Sequence, residues 1–105
     1  MKKSRQRKRF KLEITEAAYE EVIHVVNRQG VNDPLPVLNY NEETNEYEIG
    51  AYSPAYVDEK KKYLDEDQKL TYQVGRLIMC IEDPEIVKQV DGKKLDYADK
   101  KFFIR

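Results

Sequence analysis

Apolar and polar positions along this chain repeat with two different periods, and the periods locate most of its elements. Phe10 to Ile14 alternates apolar and charged residues, the period-two pattern of a half-buried strand. Thr15 then opens a stretch of helical period in which Ala18, Val22, Val25 and Val26 share one face while Glu20, His24, Asn27 and Arg28 lie opposite. Thr15 suits an N-cap, Glu16 sits near the positive end of the helix dipole, and Gly30 supplies the stop. A helix is predicted from Thr15 to Gln29. Asp33-Pro34-Leu35-Pro36 interrupts regular structure, because each proline removes a donor and extends the residue before it.

Val37–Tyr40 and Glu46–Tyr52 read as a hairpin, with Tyr47, Ile49 and Ala51 on one face of its second strand and Glu46 and Glu48 on the other. Ser53 to Lys69 is long and charged, with Lys60–Lys62 and Asp65–Asp67 flanking Tyr63 and Leu64; it is expected as a surface loop, with a single helical turn as the alternative. Leu70–Gln73 and Arg76–Ile81 read as two strands pinched at Gly75. The second is apolar on both parities from Leu77 to Ile81, as for a strand covered on both faces. Asp83-Pro84 pairs an N-cap with proline at the first helical position, and Ile86, Val87 and Val90 give that short helix its apolar stripe. Leu95–Tyr97 and Lys101–Ile104 complete a last hairpin.

Composition narrows the class. The chain has 105 residues, 40% hydrophobic and 37% charged, which supports one modest core. No apolar run approaches the ~20 residues of a membrane span, and no apolar signal segment follows the basic N-terminus. A cytoplasmic protein that does not contact membranes is the expectation. Charge is unevenly placed: residues 1–11 hold seven basic side chains and no acid, while residues 12–105 hold twelve basic and twenty acidic, a net of −8. The expected organisation is a basic arm without regular structure over residues 1–9 and one domain over 10–105.

The order of elements and several motifs resemble the HesB/IscA family of iron–sulfur cluster assembly proteins. The similarity runs from Asp67 to Ile104. It rests on Val74-Gly75 before an apolar strand, Asp83-Pro84-Glu85, the segment Val90-Asp-Gly-Lys-Lys-Leu-Asp-Tyr97, and the strand at Phe102–Ile104. Ile14-Thr15 and Ala17-Ala18 resemble the family's opening strand and helix; residues 31–66 do not share its pattern. The resemblance implies an α+β fold, a HesB-like mixed or antiparallel sheet of about six strands with one long N-terminal helix and one short late helix. The family's cluster chemistry uses three cysteines, one in a mid-chain glycine-rich turn and a pair near the C-terminus, because thiolates hold the iron. This chain has a single cysteine, Cys80, within the apolar strand and at none of those positions. The expectation is therefore a non-enzymatic, HesB-like protein that carries no cofactor of its own.

Candidate chemistry is sparse. One cysteine excludes an intramolecular disulfide, and with one histidine, His24, it excludes a Cys/His zinc site or a His-rich metal motif within the chain. Cys80 reads as a buried small hydrophobe and His24 as a solvated helix-surface residue. Asp65-Glu66-Asp67 lacks the spaced ligands and bend glycine of a calcium loop. Six of eight tyrosines lie between residues 40 and 72. Tyr40 and Tyr47 suit cross-strand packing, whereas Tyr52, Tyr56 and Tyr63 fall in and beside the segment that matches no family pattern and are the candidate partner-binding residues. The expected function is a binding or adaptor module for a protein partner. Two alternatives stand beside it: nucleic-acid association through Lys2, Lys3, Arg5, Arg7, Lys8 and Arg9, and accessory iron–sulfur work with ligands supplied by a partner.

Overall fold

Three antiparallel hairpins supply six of the seven strands in the computed structural model, which describes residues 9–66 and 68–105. β1 (Leu12–Ile14) and α1 (Glu16–Asn27) come first. The hairpin β2 (Leu35–Asn41)–β3 (Glu46–Tyr52) follows, and then α2 (Pro54–Lys61). The hairpin β4 (Thr71–Val74)–β5 (Leu77–Cys80), the short helix α3 (Pro84–Val90) and the hairpin β6 (Lys93–Ala98)–β7 (Lys101–Ile104) complete the chain.

These strands close into a barrel in the order β1-β4-β5-β2-β3-β7-β6. Each hairpin is internally long-paired, with seven residue pairs in β2–β3 and four each in β4–β5 and β6–β7. The joints between hairpins are single pairs, Val37 with Cys80 in parallel and Tyr47 with Phe102 antiparallel. β1 closes the remaining gap. It lies parallel to both neighbours, pairing Leu12, Glu13 and Ile14 with Lys93, Lys94 and Leu95 of β6 and Leu12 with Val74 of β4.

Strand alternation sorts the apolar residues into two cores. On the inner side, Leu12, Leu38, Val74, Met79, Leu95 and Phe102 meet Ala18 and Val22 of α1 and Ile86 and Val90 of α3 in one cluster. On the outer side, Val37 and Cys80 are covered by Val57 of α2 and by Leu70, forming a second, smaller cluster. Tyr40 and Tyr47 pack edge to face across the first hairpin at 4.9 Å, as their spacing predicts.

The start of α1 is tied to the far end of the chain. Thr15 accepts at its hydroxyl from the Ala18 amide (3.2 Å) and donates to Asp96 of β6 (2.8 Å). Asp96 also accepts from the Tyr97 amide and from the Arg105 guanidinium at 2.7 Å. Opposite, the β4–β5 turn is fixed against the same helix: Arg76 lies 3.9 Å over the Tyr19 ring and pairs with Glu16 at 3.1 Å.

Several expectations are corrected. The HesB-like α+β architecture, a mixed or antiparallel sheet of about six strands with two helices, is not the one adopted; seven strands close into a mixed barrel with three helices. Closure depends on β1 entering between β4 and β6, a pairing between residues some 60 and 80 positions apart that periodicity does not register. The expected loop over 53–69 contains α2, capped by the Ser53 hydroxyl, which accepts from the Tyr56 amide at 3.2 Å. Ser53-Pro54 is the same cap-and-proline signature as Asp83-Pro84. Pro36 lies inside β2, opposite Ala51, rather than before it. β5 is covered on its outer face only at Cys80, because α2 does not extend over Ile78, which is 46% exposed.

Two outcomes follow from these contacts. Gly75 has φ +58°, and a Cβ there would stand 2.5 Å from Ile14 Cγ2, whereas Gly30 (φ +73°) faces open space. Gly30→Ala is expected to cost only its backbone term, about 1 kcal/mol, and Gly75→Ala about 2–4 kcal/mol, read as denaturation midpoints. Asp96 is held below the usual carboxylate range, chiefly by the Thr15 hydroxyl and then by Arg105. Its contribution is complete above its ordinary value of 3.8 and is lost as pH falls through the lower folded value. Asp96→Asn should therefore lower stability at neutral pH and flatten the acid limb of a midpoint-versus-pH curve; an unchanged limb would assign acid loss to other carboxylates.

Candidate functional site

α2 exists because Ser53 and Pro54 start it and Val57 anchors it; Val57 is its single buried residue, 3% exposed. Tyr56 and Lys60, one turn apart, lie along the flank of the helix beside Val57, and Tyr52 from the end of β3 packs at the margin of the cluster that Val57 enters. The helix ends in tighter turns in which the amides of Lys62, Tyr63 and Leu64 donate to the carbonyls of Glu59, Lys60 and Lys61 at 3.2–3.3 Å. Tyr52, Tyr56 and Lys60 thus form one stripe, and Tyr63, 79% exposed, follows one tight turn beyond Lys60.

The stripe is fixed by a carboxylate from elsewhere in the chain. Glu82, between β5 and α3, accepts from the Tyr52 hydroxyl and pairs with the Lys60 ammonium at 3.1 Å. Tyr52 and Tyr56 meet edge to face with centroids 4.5 Å apart, and the Lys60 ammonium stands 5.5 Å from the Tyr56 centroid. One acceptor therefore orders a phenol, an ammonium and, through them, a second ring.

The electrostatics of the group are those of a scaffold. Its hydrogen bond to Glu82 raises the Tyr52 phenol well above its ordinary value, with burial adding to the shift. The same bond holds Glu82 below the usual carboxylate range, and Glu82 in turn raises the Lys60 ammonium. All three keep their neutral-pH forms with added margin. Beneath them Cys80 is fully buried, and burial pushes its thiol up to about 11, so it is not a thiolate at neutral pH. The group offers aromatic area, a hydroxyl and cations, with neither a lowered phenol nor an activated thiol.

The other nominated residues lie apart. Lys2, Lys3, Arg5, Arg7 and Lys8 fall outside the described residues; Arg9 is exposed ahead of β1. His24 is exposed on the outer side of α1, and Asp65 and Glu66 are exposed in the turn after α2, with Asp67 outside the described residues. Among the described residues no helix is long and apolar enough to cross a membrane. Sequence reasoning missed Lys60 and Glu82. The four-residue spacing of Tyr56 and Lys60 was a usable signal once a helix is placed there, but Glu82 is 30 positions from Tyr52 and has no local signature.

Comparison with protein-family models and with curated proteins gives no match. Among solved structures, the chain is similar to a structural-genomics target from Aquifex aeolicus determined by NMR in solution, with a TM-score of 0.60 and 20% identity over 98% of both chains. At that identity the likeness concerns the fold alone.

The Glu82 bridge is expected to control access to Cys80. Native protein should react slowly with iodoacetamide, and Glu82→Ala should accelerate alkylation several-fold by loosening α2 over the thiol. Equal rates in the two proteins would show that Val57 packing alone holds the helix.

Proposed function

We propose that this protein is a non-catalytic binding module that docks a partner protein on the stripe Tyr52, Tyr56 and Lys60 and on Tyr63 beyond it. The observation that carries the reading is the placement of exposed apolar area. Among the described residues the exposed large hydrophobics are Tyr56 (44%), Tyr63 (79%) and Ile78 (46%), and two of the three stand on the stripe or directly after it. Tyrosine brings large, rigid contact area with a polar tip at low entropic cost, the profile of an interface anchor. Lys60, Lys61 and Lys62 beside those rings suit a partner surface that carries carboxylates around an apolar centre.

The reading is tested by capture from the native cell extract with wild-type protein, Tyr56→Ser/Tyr63→Ser and Ile78→Ser. Each anchor is expected to be worth about 2 kcal/mol, roughly 30-fold in affinity, so the double variant should lose the partner while Ile78→Ser retains it. A partner held equally by all three proteins would place the interface elsewhere and overturn the proposal.

A further inference from the structure

The basic character of the N-terminus does not end with the first eleven residues. The fold brings three cations from the other end of the chain beside it. Lys11 donates its amide to the Asp91 carboxylate at 3.0 Å, and its carbonyl accepts from the Gly92 amide at 2.6 Å. The root of β1 is thereby pinned to the turn that opens β6. Register then sets Glu13 beside Lys94, and Lys94 exchanges both backbone hydrogen bonds with Arg105 at 2.9 Å. Glu13, Lys94 and Arg105 form a cross-strand row, with Lys11 two residues before Glu13 on the same side of β1. Together with Lys93 they line a shallow groove of about 190 Å3.

The charges in and around this groove are unequal. Arg9, Lys11, Lys93, Lys94 and Arg105 stand against Glu13, Asp91 and Asp96. Glu13 pairs weakly with both Lys11 (3.5 Å) and Lys94 (3.9 Å), and both lysine side chains remain substantially exposed. The sequence adds five more cations and no acid over residues 1–8. By contrast, a cleft of about 700 Å3 elsewhere on the molecule is lined by Glu42, Glu43, Glu48, Asp83 and Glu85. The described residues thus hold a basic groove at the root of β1 and an acidic cleft elsewhere.

The geometry points to a second function for the basic groove: it binds the phosphate backbone of nucleic acid without reading its sequence. A membrane surface fits less well, because the groove contains none of the exposed large hydrophobic residues that would enter the interfacial layer. Base stacking is not provided either, since Phe10 is turned against Tyr72, ring centroids 4.7 Å apart. What remains is counterion-releasing contact between lysine or arginine and phosphate. The acidic remainder of the protein repels the same polyanion and so sets one orientation of approach.

The test is fluorescence polarisation of the full chain with labelled single-stranded and duplex oligonucleotides across a salt series. Affinity should fall linearly with salt on logarithmic axes, with duplex slope close to −0.9 for each phosphate contacted. Lys93→Gln/Lys94→Gln should reduce that slope by up to about 2, whereas Lys62→Gln/Lys88→Gln should leave it unchanged. Glu13→Gln, which removes the carboxylate shared by Lys11 and Lys94, should tighten binding several-fold; a gain cannot arise from a failure to fold. The proposal is overturned by absence of oligonucleotide binding, or by binding indifferent to both Lys93→Gln/Lys94→Gln and Glu13→Gln. Equal or tighter binding to phosphatidylglycerol vesicles with the same dependence on these residues would also overturn it, in favour of a membrane.

Discussion

The architecture depends on where Leu12 sits. It is the one residue of β1 paired on both sides, to Val74 of β4 and Lys93 of β6, and it is 2% exposed within the inner core. No other strand pairing joins the β4–β5 and β6–β7 hairpins, whose side chains meet only in the inner core. Without a parallel strand between them the sheet has two open edges, each a row of unpaired backbone groups. The same insertion aims α1. Thr15 follows β1 directly, donates its amide to the Leu95 carbonyl, and delivers Ala18 and Val22 to the inner core. A strand of three residues thus closes the barrel and places the helix that fills it.

Division of the apolar residues between two sides of the sheet explains why the candidate site can differ in character from the barrel. The inner core draws on two helices and all three hairpins. The outer cluster is Val37, Val57, Leu70 and Cys80, with Leu35, Tyr52 and Leu64 at its margin. α2 is therefore an addition to the outside of a barrel that is already complete. Its exposed side is free to carry tyrosines and lysines because no part of the inner core depends on them.

Local chemistry was well legible in the sequence and long-range geometry was not. Thr15, Gly30, Asp83 and Gly92 mark helix ends through caps and positive φ, and the apolar stripes are buried at Ala18, Val22, Val26, Ile86 and Val90, with Val25 and Val87 half-buried at their edges. Tyr52 and Tyr56, nominated from the sequence, stand in edge-to-face contact. What periodicity cannot carry is pairing between distant segments: β1 with β4 and β6, Glu82 with Tyr52 and Lys60, and Lys93, Lys94 and Arg105 with the root of β1. The resemblance to a known family supplied an element order, which is silent about closure when the closing strand is three residues long. The misread of residues 53–69 has a different cause. Lysine and acid runs masked the Ser53-Pro54 cap, and a helix with one buried residue has almost no amphipathic signal.

That single buried residue has a thermodynamic meaning. Full burial of one valine is worth about 1.5–3 kcal/mol, and the Glu82 contacts, partly in water, add a smaller share to it. A hold of that size is small beside that of the inner core, so α2 is the element expected to lift first from the barrel. Opening exposes Val37, Leu70 and Cys80 without disturbing a strand pairing of the inner core. The segment joining the first hairpin to the second is thus an ordered flap with its own equilibrium. Anything that grips Tyr56 and Lys60 in the closed state draws on that equilibrium, and gains affinity or loses it according to whether it prefers the flap down or up.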